Sequence, residues 1–370
     1  MLHFYLRSTA MWCALAASIA CAKSETADAS TMATPGRHAH GTAALANQSP
    51  STYRISDTIT VGGDGFWDYI SVDEPTGRVF ASHGTVVSVI DPSARKVIGT
   101  IPDTKGVHGI AIADDLNRGY TSNGQDSSVT VFDLGSLAVI TKIGISGKNP
   151  DAILYDPFSR DVFTFNGKSS NASVIETKGN RQIATIPLDG KPEFAATDGQ
   201  GMVYVNIEDK NEIAAIDAKT FTVAKLWPIA PGEGPSGLAI DAANHRLFTV
   251  CHNKLMVVLD AASGKVIASL PIGERVDGIV YDPSSRRAFS SNGDGTMTVV
   301  QEAPRDSFKV LENIATRKGA RTIAVNGKTH HLYLPTAEFD PPPAPTKENP
   351  KPRPVVKPGS FVVLDIAPVY

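Results

Sequence analysis

Between Trp67 and the C-terminus the chain repeats one pattern seven times, about every 42 residues. The clearest copy runs from Val107 to Asp133, and its equivalents begin at Trp67, Pro150, Pro192, Pro235, Val276 and Ala320. The second residues of the copies are Asp68, His108, Asp151, Glu193, Ser236, Asp277 and Arg321, spaced 40, 43, 42, 43, 41 and 44 residues apart. Each unit holds four short apolar runs separated by turn residues, which is the pattern of a β-propeller blade. One four-stranded sheet cannot bury both of its faces, so the units must stack around an axis and share a core. The expected fold is all-β, a seven-bladed propeller of four-stranded blades.

Each unit has the same four beats. In the second copy these are Gly109-Ile110-Ala111-Ile112, then Tyr120-Thr121-Ser122-Asn123, then Val129-Thr130-Val131-Phe132-Asp133 and an outer strand. Val, Ile, Thr and aromatic residues favour strands, and Asp-Pro or Asp-Gly pairs such as Asp156-Pro157 mark the turns. The seventh copy ends on a third strand, Ser360 to Asp365, with too little chain left for a fourth. An orphan strand, Tyr53 to Val61, precedes the first copy. Pairing it into the last blade would close the ring and cover an open edge. The propeller is therefore placed at residues 53–370, with a Pro-rich insertion at 339–359 between the second and third strands of the last blade. That insertion holds eight prolines with Lys347, Lys351, Arg353 and Lys357, a composition that favours extended polyproline II.

Residues 1–22 read as an export signal. Arg7 forms a basic start, Ala10 to Ala20 an apolar stretch too short to span a bilayer, and Ala20-Cys21-Ala22 a cleavage site. The alternative is lipoprotein processing at Cys21, where Ser18-Ile19-Ala20-Cys21 loosely resembles a lipobox. Residues 23–52 are rich in Ala, Ser, Thr and Gly and read as a flexible linker in which His38 and His40 are polar filler. After cleavage between residues 22 and 23, Cys251 is the one cysteine left and no internal disulfide can form. Expected placement is the periplasm or another extracytoplasmic space, with a lipid anchor at Cys21 as a variant. A closed disc is expected as a monomer.

In a propeller the inner strand of each blade begins on the face where the second strand ends. The second residue of each copy is thus expected to face the residue fifteen further on, in the pairs Asp68/His83, His108/Asn123, Asp151/Asn166, Ser236/Cys251, Asp277/Asn292 and Arg321/Thr336. The fourth copy has a shorter turn and gives Glu193/Asn206. With His252 beside Cys251, a polar funnel of Asp68, His83, His108, Asn123, Asp151, Asn166, Glu193, Asn206, His252, Asp277, Asn292 and Arg321 is expected on one face. Asn-Gly at 123–124, 166–167 and 292–293 also reads as hairpin-turn chemistry, and Cys251 as a small buried hydrophobe.

The funnel is read first as a site for a small molecule or a protein partner. The alternative is a metal-dependent enzyme of the lactonase, hydrolase or lyase kind. Asp68, Asp151, Glu193 and Asp277 would then hold Ca²⁺ or Mg²⁺, or a transition metal would bind with help from the histidines. His108 would serve as base and Arg321 as anion clamp. The chain carries no serine-hydrolase elbow, P-loop, CxxC pair or HExxH helix. With a formal charge of −3 it has no global basic field to attract nucleic acid.

Tyr120-Thr121-Ser122-Asn123, followed by Val129 to Asp133 and then by Pro150-Asp151 and Tyr155-Asp156-Pro157, resembles the YVTN-type propeller repeat. From Tyr53 to Pro368 the chain resembles the YncE-like group of exported bacterial propellers. The resemblance implies seven blades, a periplasmic or surface location and, in at least one member, single-stranded DNA binding. An acidic funnel lacks the basic groove and stacking aromatics that such binding needs. The departures from the repeat are the long insertion, Ser236 and Arg321 in the ring, and copies that lack the Tyr.

Overall fold

The computed structural model describes residues 52–347, 350, 352 and 354–369. The proposed signal, the linker up to residue 51, and with them Cys13, Cys21, His38 and His40, lie outside the described residues.

Among the described residues there are seven four-stranded antiparallel sheets and one two-stranded ribbon. Blade 2 shows the common plan, with strands Val107–Ala113, Arg118–Asn123, Ser128–Asp133 and Val139–Gly144 from the axis outward. Second and third strands are buried along nearly their whole length. Outer strands alternate, as in the exposed–intermediate pattern of Lys96–Ile101, because only their inner face meets a neighbour. Successive blades pack through aromatic contacts. Phe80 lies 5.8 Å from Phe132, and Phe248 stacks 5.2 Å from Tyr281. Full burial of one such ring contributes roughly 1.5–3 kcal/mol.

The last blade closes as expected. Its order from the axis is Ala324–Val325, Leu332–Thr336, Val362–Pro368 and then Tyr53–Thr60 from the start of the propeller. Tyr53 pairs with Pro368 and Thr60 with Val362, and Tyr53 and Ile59 are buried in the blade. The insertion leaves the second strand of this blade and returns to the third. Phe339–Asp340 and Val355–Val356 form its short ribbon, and Phe339 packs 5.8 Å from Trp67. Pro341 to Lys347 are exposed and outside any regular element.

One local device recurs at the axial end of the inner strands. In blade 2 Val107 pairs with Asn123 and Ile110 with Thr121, so His108 and Gly109 together oppose Ser122. That is a β-bulge, and blades 3, 4, 5 and 6 have one at the same place. Gly109 N–H donates to Ser122 Oγ at 2.9 Å, and that hydroxyl donates onward to the carbonyl of Asp151 in the next blade. Similar links join Ser236 Oγ to Val276 O (3.2 Å), Ser291 Oγ to Arg321 O (2.6 Å) and Thr322 Oγ1 to Asp68 O (2.5 Å). The backbone of several ring residues is thereby stitched to the blade before it.

Candidate functional site

The bulges decide which side chains reach the axis. Side chains alternate faces along a strand, so a one-residue change in register moves a residue from one face to the other. In blades 2 to 6 the expected facing pairs therefore do not form, because, for example, Val107 rather than His108 pairs with Asn123, and Pro150 rather than Asp151 with Asn166. The second residues turn to the axis and their supposed partners turn into the blades.

The four amides of the expected funnel are core residues, each fully buried. Asn123 accepts from Thr121 Oγ1 at 2.9 Å and donates to Ser128 Oγ at 3.0 Å and Thr130 Oγ1 at 2.9 Å. Asn166 and Asn292 repeat this with the hydroxyls or amides of their own third strands. Asn206 instead donates to the carbonyls of Ser236 and Gly237. The Asn-Gly pairs do not make two-residue hairpins either. The left-handed residue comes later in each turn, at Ser127 (φ 51°), Ser170 (φ 50°) and Gly295 (φ 100°).

His83 is also absent from the axis. It is buried against Phe361, at 4.6 Å between ring centres, in a separate cavity of about 500 Å³ beside Gly63 and Asp64. Burial lowers its pKa. Ser236 and Thr336 are buried and bonded to backbone carbonyls. Cys251 is buried as expected, and burial pushes its thiol up to about 12.

The remaining ring residues form two groups of ion pairs and hydrogen bonds. Arg321 Nε donates to Asp277 Oδ2 at 2.6 Å and its Nη2 to Asp68 Oδ1 at 3.1 Å. Asp68 Oδ2 faces His108 Nδ1 at 2.7 Å, and Asp151 Oδ1 lies 3.6 Å from the same nitrogen. Lys191 bonds both Glu193 and Glu208, and His252 Nδ1 lies 3.6 Å from Glu208 Oε1. Burial alone would lower the pKa of His108, but the Asp68 hydrogen bond and the charges of Asp151, Asp68 and Glu193 raise it to about 9. Burial, reinforced by the Asp68 charge, raises the Asp151 pKa. Its Oδ1 is buried and has no hydrogen-bond partner. Tyr69 sits among Asp68, Asp151, Glu193 and Asp277, and burial followed by those charges holds its phenol well above its ordinary value.

Chemically, the imidazole of His108 lies between two carboxylates, with its Nδ1 2.7 Å from Asp68 Oδ2 and 3.6 Å from Asp151 Oδ1. The four carboxylates expected to share one ion are divided between cations. Asp277 goes to Arg321 and Glu193 to Lys191, while Asp68 and Asp151 converge with His108, their donor atoms all within 4.8 Å of one another. An all-oxygen cage for Ca²⁺ or Mg²⁺ from these four groups is therefore not assembled. Beside the network a cavity of about 460 Å³ is lined by Phe66, Trp67, Gln125 and Asn149 with Asp68, His108 and Arg321. Phe66 is 68% exposed there. Gly124 makes room for the imidazole, because a Cβ at that position would lie 2.7 Å from His108 Nε2.

Lys191, Glu208 and the linking hydroxyls of Ser122, Ser291 and Thr322 were not expected at the site. Ser122-Asn123 and Ser291-Asn292 share a signal that could have revealed the bulge. In each pair the residue before the amide is a small hydroxyl, and the opposing inner strand carries glycine at its third position, Gly109 and Gly278.

No family model matches the chain. Antigen Lp49 of Leptospira interrogans is 22% identical over 218 residues, which are 55% of this chain and 48% of that protein. The uncharacterized proteins YncE of Salmonella typhi and Salmonella typhimurium are each 24% identical over 190 residues, 49% of this chain and 53% of theirs. The chain thus matches these curated relatives over about half of their length. Hydrazine synthase from Kuenenia stuttgartiensis superposes with a TM-score of 0.64 at 17% identity, over 74% of this chain and 92% of that one, which shows a shared fold. The fold that the repeats imply is borne out: the chain forms a seven-bladed β-propeller, and its weak similarity to YncE fits the resemblance carried by the repeats.

Proposed function

We propose that this protein is an exported, non-catalytic binding module whose ligand docks at the axial mouth. One observation carries the reading. Ion-paired side chains from blades 1, 2, 3, 6 and 7 converge beside a cavity of about 460 Å³ that has an exposed aromatic ring, Phe66, on its wall. Ligand pockets are built this way, from a few fixed polar groups and apolar contact area. Cavity size and polarity fit a small molecule or one polar side chain of a protein partner. Export rests on the basic start, apolar stretch and Ala20-Cys21-Ala22 site of the leader. Among the described residues no helix is long and apolar enough to cross a membrane.

Thermal melts of the chain from Lys23 onward, with panels of amino acids, short peptides, sugars and organic acids at millimolar concentration, test the reading. At least one class should raise the melting temperature of the parent and leave a folded Arg321→Ala variant unmoved. A flat response across all panels, or an equal one in Arg321→Ala, would remove the mouth as the binding site.

A further inference from the structure

The most unusual group at the mouth is Asp151. Its Oδ1 is buried, accepts no hydrogen bond, and points to within 3.6 Å of His108 Nδ1. A buried carboxylate oxygen without a donor is costly, on the order of 1–3 kcal/mol or more, and calls for an explanation. The same nitrogen lies 2.7 Å from Asp68 Oδ2. Three donor atoms of different residues, on three blades, thus surround one point.

We propose that Asp68, His108 and Asp151 form a three-donor site for a borderline divalent cation such as Zn²⁺, Ni²⁺ or Cu²⁺. Donors about 2.1 Å from such an ion and 90–110° apart are separated by about 3.0–3.4 Å. The separations of 2.7 and 3.6 Å from His108 Nδ1 bracket that range, and the two carboxylate oxygens lie within 4.8 Å of each other, so binding needs the carboxylates to draw together around the ion. A mixed set of one imidazole and two carboxylates suits these ions better than the harder Ca²⁺ or Mg²⁺. Two carboxylates neutralise the ion. The nearby guanidinium of Arg321 stays paired with Asp277 and holds Asp68 Oδ1 at 3.1 Å. Such an outer contact orients a ligating carboxylate.

The backbone supports the same three residues. Asp68 N–H donates to Ser82 Oγ at 2.7 Å, the Asp151 carbonyl accepts from Ser122, and Gly124 leaves space for the His108 ring. Three protein donors leave further coordination positions of the ion for water or a ligand in the adjoining cavity, as in open metal sites. Binding requires the His108 Nδ1 lone pair, so the ion and a proton compete for it. This site shares the mouth with the reading above but does not depend on an organic ligand, and its test uses metal alone.

The chain from Lys23 onward, purified without a metal-affinity tag, would be titrated with Zn²⁺ and Ni²⁺ by calorimetry and loaded with Cu²⁺ for electron paramagnetic resonance. A second protein carrying His38→Gln and His40→Gln removes the linker imidazoles from the count. The expected result is one equivalent bound in both proteins and at least a tenfold loss of affinity in Asp151→Asn and in His108→Gln. The bound Cu²⁺ should show coupling to a single nitrogen, absent in His108→Gln. Glu176→Gln, far out on the third strand of blade 3, should bind as the parent does. No binding by the parent, binding lost with His38 and His40, or unchanged affinity in folded Asp151→Asn and His108→Gln would each overturn the proposal. Should Asp151→Asn fail to fold, the nitrogen coupling still decides. Failure of the metal site would leave the organic-ligand melts to be judged separately.

Discussion

Replacing Asn123 by alanine separates a structural amide from a binding one. The Asn123 side chain is fully buried and makes three hydrogen bonds, to Thr121, Ser128 and Thr130. Ser128 Oγ keeps a bond to Asp126 and Thr130 Oγ1 one to Asp103 O at 3.0 Å. Thr121 Oγ1 loses its side-chain hydrogen-bond acceptor among the described residues and is left as a buried donor. Three bonds at about 1 kcal/mol each, plus a small cavity, give a destabilisation of about 3–4 kcal/mol. For a domain of this size each kcal/mol lowers the melting temperature by about 2 °C, so a drop of about 6–8 °C is expected by calorimetry. His108→Gln should behave in the opposite sense, with cation binding at the mouth lost at the expense of a smaller change in melting. If Asn123→Ala melts within about 1 °C of the parent, or abolishes binding while melting normally, the amide belongs to the mouth and the bulge account fails.

Further outcomes can be checked with the same protein. Gly124→Ala places a Cβ 2.7 Å from His108 Nε2 and should weaken cation binding at least tenfold with only a small change in melting; calorimetry on the folded variant reads both. In metal-free protein, His108 has a folded pKa of about 9 against about 6.5 in the unfolded chain. The stability it contributes is fully present below about pH 6.5 and is lost as pH rises through 9. The gap in urea midpoint between parent and His108→Gln should therefore shrink between pH 7 and 10, and a gap constant over that range would contradict the assigned ion pair. Cys251 is buried, with its pKa pushed up to about 12, so a thiol reagent should react only on unfolding, and rapid labelling of native protein would refute this. Deleting residues 53–60 removes the buried Tyr53 and Ile59 and exposes the edge of Val362–Pro368. The shortened chain should lose its cooperative melt or aggregate, and a melt like the parent's would show that closure is dispensable.

The period of the repeat, the four beats of each blade and the closing strand were all legible, because each rests on alternation and turn residues that a chain cannot hide. The second residues of the repeats were legible for the same reason, and Asp68, His108, Asp151, Asp277 and Arg321 do form one connected network. Their supposed partners were not. A single extra residue in the strand, His108 beside Gly109, changes which face Asn123 takes, and alternation alone does not mark it. Asn-Gly at 123–124 read as a tight turn, yet Gly124 is small because an imidazole from the inner strand lies over it. Lys191 was hidden for another reason. It precedes its repeat, and its role depends on Glu208, which follows a different strand.

Closure by the first strand also sets how the disc responds to load. Tyr53 pairs with Pro368, and Val369 N–H donates to Thr52 O at 2.9 Å, so the chain enters and leaves the propeller side by side at one point on its circumference. Force applied between the two ends therefore meets the antiparallel ladder from its open end and breaks it one hydrogen bond at a time, as a zipper rather than in shear. The bond that completes the circle is the first to bear tension. Two proteins joined directly at Thr52 and at Val369 would be held as neighbours, with the propeller to one side of them.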